Sequence, residues 1–152
     1  MTPHTSDSLT TTSKETLTTT FETNTFGPLF LVQALLPNLL ASKAVKIGIV
    51  SSRVRRIGDN TSGGSYAYRA SKAAVNSIGR SIAMDLEDQG IMVALLHPGF
   101  VKTGLDVTKE SHQREDAVEA EEAARKLWEV LKEKRIEDTG RFWHREGTEL
   151  PL

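Results

Sequence analysis

Cysteine is absent from all 152 residues, which excludes disulfides, thiolate nucleophiles and thiolate metal sites together. Histidine is sparse: His4, His97, His112 and His144 are scattered and show no metal-ligand spacing. No charge of one sign dominates. Nineteen bases face 20 acids, and a net charge of −1 gives no electrostatic reason to bind nucleic acid or an acidic membrane. The small cluster Arg53, Arg55 and Arg56 reads as a solvated loop, not a phosphate patch. Long apolar runs are missing as well, since "GPLFLVQALLPNLLA" is too short and too interrupted by proline to span a bilayer. The opening "MTPHTSDSLTTT" has no base and no apolar segment, so it resembles neither a secretory signal nor a transit peptide. A soluble protein of the cytoplasm is expected. There is no G-x-S-x-G, which speaks against a serine nucleophile.

What is present is a regular alternation. "T-S-K-E" at Thr12–Glu15 reads as a capping box with Thr12 as N-cap. The helix it opens runs through the threonine-rich "TLTTTFETNT" into "FGPLFLVQALLPNLLAS", whose second part is apolar nearly all round and predicts burial on more than one side. Pro37 is expected to bend or end it. "AVKIGIVSS" predicts a buried strand of a parallel sheet. A helix follows from about Tyr66 to Gln89, with Val75, Ile78, Ile82 and Leu86 on one stripe and Gly90 as its stop. "IMVALLH" predicts a second strand, "AVEAEEAARKLWEVLKEKR" a third helix with acids early and bases late, and "GRFWH" a last strand. The order predicts an α/β fold with about three parallel strands and three long helices. Residues 1–12 are expected to be disordered and 13–152 to form the folded unit.

Four places carry chemistry. Tyr68 and Lys72 lie one helical turn apart on one face. A cation beside a phenol favours the phenolate, so the pair suits proton exchange with an alcohol or carbonyl; taken alone, a packed tyrosine and a solvated lysine is the commoner reading. Ser51 and Ser52 end the first strand, where open α/β sheets place ligands, and either hydroxyl can bond a substrate oxygen there. "HPGFVKTG" follows the second strand with a tight turn at Pro98 and Gly99, after which Val101 to Thr103 present backbone amides and a hydroxyl. Asn24 is an amide inside a helix where propensity gives it no reason to be.

These motifs, "NTFG", "IVSS", "YRASK" and "PGFVKT" in that order, resemble the C-terminal part of a short-chain dehydrogenase/reductase over about residues 13–152. "GRFWHREGTELPL" and the long loop before Tyr66 are similar to the C-factor-like and sniffer-like carbonyl reductases. The resemblance implies a Rossmann-like, doubly wound sheet, present here in part. It implies Tyr68 as general acid/base, Lys72 as its tuner and ribose ligand, and Ser52 as the group that polarises the carbonyl, with Ser51 as the alternative. It implies that Asn24 distorts its helix and holds a relay water. Pro98, Gly99, Val101 and Thr103 then line the nicotinamide of NADP or NAD. The implied partner is a small carbonyl or alcohol substrate, and two long helices suggest a homodimer. The substrate loop "GLDVTKESHQRED" is unspecific.

The chain departs from the family pattern at one end. No two of the eleven glycines lie two positions apart, so even a degenerate G-x-G is missing, as is N-A-G before the first helix. Arg55 stands where S-x-x-G would have its glycine. The expectation is a truncated chain whose first strand has an open edge, and the alternative function is an inactive remnant that only associates.

Overall fold

The computed structural model describes residues 7–55, 58, 60–104 and 110–152. Helix α1 (Lys14–Phe21) is capped by Ser13, whose Oγ accepts the Thr16 N–H at 3.1 Å. The cap is thus one residue later than the capping box predicts, and Glu15 sits in the first turn, favourably placed on the helix dipole. Thr16 and Thr20 are buried. Packing against the helix that carries Tyr68 therefore compensates for the poor helix propensity of threonine.

The chain then widens into a single π-helical turn, Glu22–Phe26, and returns to α-helix in α2 (Gly27–Ala41). Pro37 does not end α2, which runs on four residues past it to Ala41. It is exposed, and so is Gln33, whose carbonyl loses its helical donor to the proline. Burial on several sides is not found either. Leu29, Val32, Leu36 and Leu39 pack on the core, while Phe26, Phe30, Leu31, Leu35 and Leu40 are exposed, because no described element covers the second face.

Strand β1 (Lys46–Val50) pairs parallel with β2 (Met92–His97), Ile47 opposite Val93. Between them runs α3 (Tyr66–Leu86), which ends through a 3-10 turn at Gly90, φ 71°. Strands β3 (Val101–Lys102) and β4 (Val118–Glu119) form a small parallel pair of their own. Helix α4 (Ala120–Glu133) follows, starting three residues later than the sequence suggests because Val118 and Glu119 are used in that pair. Strand β5 (Phe142–His144) lies parallel to β2, and β6 (Glu149–Leu150) turns back antiparallel on β5. The main sheet has the order β1-β2-β5-β6.

Alternation along β2 divides the core between two faces. Val93 and Leu95 meet Val75, Ile82, Ala83 and Leu86 of α3, with Ile49 and Phe142. Met92, Ala94 and Leu96 meet Val130 of α4 and Trp143. Gly79 lets α3 approach the sheet: a Cβ there would lie 2.5 Å from Leu95 Cδ2. Strand β2 is buried throughout, but β1 is an edge strand among the described residues, with Val50 half exposed. The fold is the expected α/β arrangement, and this edge is the open one.

Candidate active site

The site gathers at the C-terminal ends of β1 and β2, where the chain leaves the sheet and its polar groups are no longer used in the ladder. Ser51 and Ser52 leave β1 and are both buried, and their side chains diverge. Ser51 Oγ donates to the Lys72 carbonyl at 3.4 Å. Ser52 Oγ accepts the Val54 N–H at 3.3 Å and lies near enough to the Tyr68 phenol to pull its pKa down. Of the two serines, it is Ser52 that meets the phenol.

Tyr68 and Lys72 are brought together on the first two turns of α3, with Nζ 5.8 Å from the ring centroid. Lys72 is buried, and its Nζ donates to the Val50 carbonyl at 3.1 Å. Burial pushes the Tyr68 phenol above its ordinary value, and the nearby Ser52 hydroxyl pulls partly against it. Burial also holds the Lys72 ammonium below its usual range. Both shifts favour the neutral form, and Lys72 spends its bond on a carbonyl instead of the phenol. Tyr66, by contrast, is exposed.

Asn24 lies buried in the π turn, and this turn aims its side chain at α3: Nδ2 donates to Ser71 Oγ at 3.0 Å. Ser71 Oγ donates in turn to the Tyr68 carbonyl at 2.8 Å. Thr25 Oγ1 donates to the Ser71 carbonyl at 3.0 Å. The π turn is thereby fastened to the helix turn that bears Tyr68 and Lys72.

Pro98, Gly99, Val101 and Thr103 follow β2 on the same edge of the sheet. Gly99 has φ 72°, a left-handed conformation that suits glycine, and a Cβ would fall 2.6 Å from Arg145 Nη1. Of the remaining loop, residues 105–109 lie outside the described residues, as do Arg56 and residues 1–6; of Arg55 only the backbone is described. Arg53 is exposed.

Two residues here escape sequence reasoning. The first is Asp7, within the stretch expected to be disordered, where residues 7–12 form a turn. Its buried carboxylate accepts the N–H of Ala67 at 3.0 Å and of Tyr68 at 3.4 Å, capping α3. The second is Arg145, just after β5, whose guanidinium reaches the Pro98–Phe100 turn. Neither has a local signal, because each works through contacts tens of residues away.

A family model described as short chain dehydrogenase matches residues 4–114. The chain belongs to the short-chain dehydrogenase family. It is 45% identical over 129 residues to a 1-hydroxy-2-glutathionyl-2-methyl-3-butene dehydrogenase of Rhodococcus sp. (strain AD45), covering 85% of this chain and 55% of that one. To the C-signal protein of Myxococcus xanthus it is 38% identical over 135 residues, 87% of this chain and 76% of that one. In structure it is similar to the NADPH-bound carbonyl reductase from chicken fatty liver, at TM-score 0.84 and 30% identity over 97% of this chain and 61% of that one. The carbonyl reductase Sniffer of D. melanogaster aligns at TM-score 0.82 and 32% identity, covering 95% and 60%. The chain therefore spans between about half and three quarters of the length of these relatives. Among the described residues no helix is long and apolar enough to cross a membrane.

Proposed function

We propose that this short-chain dehydrogenase carries out NAD(P)-dependent reduction of a small carbonyl compound, or the reverse oxidation of an alcohol. The observation that carries this is the convergence of Ser52, Tyr68 and Lys72 at the mouth of β1, with Asn24 tied to the same helix turn. The chicken relative is a carbonyl reductase that holds NADPH, which makes NADPH the first cofactor to test.

The residues fit the nicotinamide end of such a cofactor. Lys72 uses one of its three donors on Val50 O, so a ribose hydroxyl has donors left to it. Pro98, Gly99, Val101 and Thr103 would line the carboxamide. The pyrophosphate end has no glycine-rich cradle among these residues. When bound, the nicotinamide supplies the hydride.

The chain's own part is the proton and the polarisation. Tyr68, kept protonated at neutral pH by its burial, would give its phenolic proton to the carbonyl oxygen of the substrate. Ser52 donates to the same oxygen and stabilises the charge that develops on it. Asn24 holds the α3 turn through Ser71, and by the family resemblance it would hold the water through which the proton is returned. Association of two copies through α2 and α3 belongs to the same reading, supported by the exposed Phe26, Phe30, Leu31 and Leu35.

Fluorescence titration with NADPH and NADH, followed by turnover with aromatic and aliphatic aldehydes, tests the proposal. Saturable binding with consumption of reduced cofactor is expected. No binding at millimolar cofactor would refute it and favour the remnant that only associates.

A further inference from the structure

Arg145 is a cation with a side chain only 4% exposed, and four of its five N–H donors are used. Nη1 donates to Pro98 O at 2.7 Å and to Phe100 O at 2.9 Å, and Nη2 to Asp116 O at 2.5 Å. Nε donates to Glu146 Oε1 at 3.2 Å, which supplies the counter-charge. The backbone is tied in as well, because Arg145 N donates to His97 O at 2.9 Å. One guanidinium thus holds the turn that leaves β2 and, through Asp116, the segment that enters β4.

The geometry points to Arg145 as a positioning residue that sets the nicotinamide-facing turn of this enzyme, an inference that rests on the functional reading above. A trans peptide is planar, so its N–H points opposite to the preceding C=O. With Phe100 O drawn onto Arg145, the Val101 N–H is directed to the other side of the chain. Phe100 O also accepts the Val118 N–H at 3.1 Å, so one carbonyl is fixed from two directions. Gly99 makes the arrangement possible, because any Cβ there would collide with the guanidinium. A planar fork is needed, since a lysine ammonium is a point charge that cannot serve three carbonyls so disposed.

Arg145→Met and Arg145→Lys test this, with Arg141→Gln, which breaks only an exposed pair to Glu149, as control. Amide hydrogen exchange is followed by mass spectrometry on the cofactor-free chain, and NADPH affinity by fluorescence. Arg145→Met is expected to speed exchange about tenfold or more at residues 98–104 and 114–119, leave α3 and β1 unchanged, and raise the NADPH Kd about tenfold. Arg145→Lys should fall between, and Arg141→Gln should match the parent. Unchanged exchange in those two segments overturns the inference, as does exchange that rises evenly over the sheet, loss of the fold in both variants, or local loosening with unchanged NADPH affinity. If the parent chain binds no NADPH, the functional reading fails, while the exchange data still decide whether Arg145 sets the turn.

Discussion

Replacing Asp7 with alanine tests whether the helix bearing Tyr68 and Lys72 is held from sixty residues away. Ser65, the residue before α3, sits in the left-handed region at φ 52°, ψ 44°, and makes no side-chain cap. Asp7 supplies the cap in its place, with its two carboxylate oxygens 3.2 and 3.0 Å from Ala67 N and one of them 3.4 Å from Tyr68 N. Its carbonyl accepts the Ser65 N–H at 2.8 Å, and Thr12 Oγ1 donates to Oδ1 at 2.9 Å. Loss of an N-cap costs about 0.5–2 kcal/mol, and burial of the freed N–H groups places this case near the top. The negative charge at the helix N-terminus adds about 0.3–1 kcal/mol. Asp7→Ala should therefore cost about 2–3 kcal/mol, and Asp7→Asn, which keeps an acceptor but not the charge, about 1 kcal/mol. Urea unfolding followed by circular dichroism, with the buried Trp143 as a second probe, measures both. A cost under about 0.5 kcal/mol for Asp7→Ala, within ordinary surface variation, would refute the capping argument.

Tyr68→Phe should leave NADPH binding nearly intact and lower turnover about 10²–10⁴-fold, the usual worth of a general acid; turnover within a factor of two of the parent would remove Tyr68 from the mechanism. The same variant has a signature in stability against pH. Burial raises the Tyr68 value, so above about pH 10 the unfolded phenol has lost a proton that the folded one keeps, and stability falls as pH rises through the folded value. Lys72, whose value is lowered, acts in the opposite sense below about pH 10.5, so the comparison belongs above that pH. Tyr68→Phe is expected to flatten the alkaline limb of a urea-midpoint profile, and an unchanged slope would contradict the burial argument. Gly79→Val should destabilise by about 1–3 kcal/mol, since its side chain would press on Leu95 and Ile49; a neutral effect in thermal unfolding would mean that α3 stands farther from the sheet.

Much of this fold is legible in the sequence because it is local or periodic. The stripe Val75, Ile78, Ile82 and Leu86 does face the sheet, and Gly90 does end the helix. "KIGIV" and "MVALLH" are strands in parallel register, and the first is an edge strand among the described residues. Spacing alone puts Tyr68 and Lys72 on one helix face and Ser51 and Ser52 at a strand end, whereas joining them into one site, with Ser52 ahead of Ser51, rests on the family resemblance. Sequence reasoning fails where the answer depends on a distant partner. Whether Pro37 breaks α2 depends on which side its lost donor faces, and whether that helix is covered depends on what lies beside it. Asp7 looks like one more polar residue in a Ser/Thr-rich opening, and Arg145 like one more surface base. Each is buried because of backbone groups that only the fold brings within reach.

These contacts bear on how the site divides its work. Asn24 to Ser71, Ser71 to Tyr68, Lys72 to Val50, Ser51 to Lys72 and Asp7 to α3 are all bonds within this chain. The groups proposed to transfer the proton are thus tied to one another by bonds among the described residues. The grip on a cofactor is another matter, because no G-x-G turn is present to offer backbone N–H groups to a pyrophosphate. Interactions with a ligand that are equal in ground state and transition state enter KM, whereas those made only in the transition state enter kcat. On the proposed function, residues 1–152 assayed by themselves should therefore show a raised cofactor KM, because no G-x-G lies among them to offer that grip.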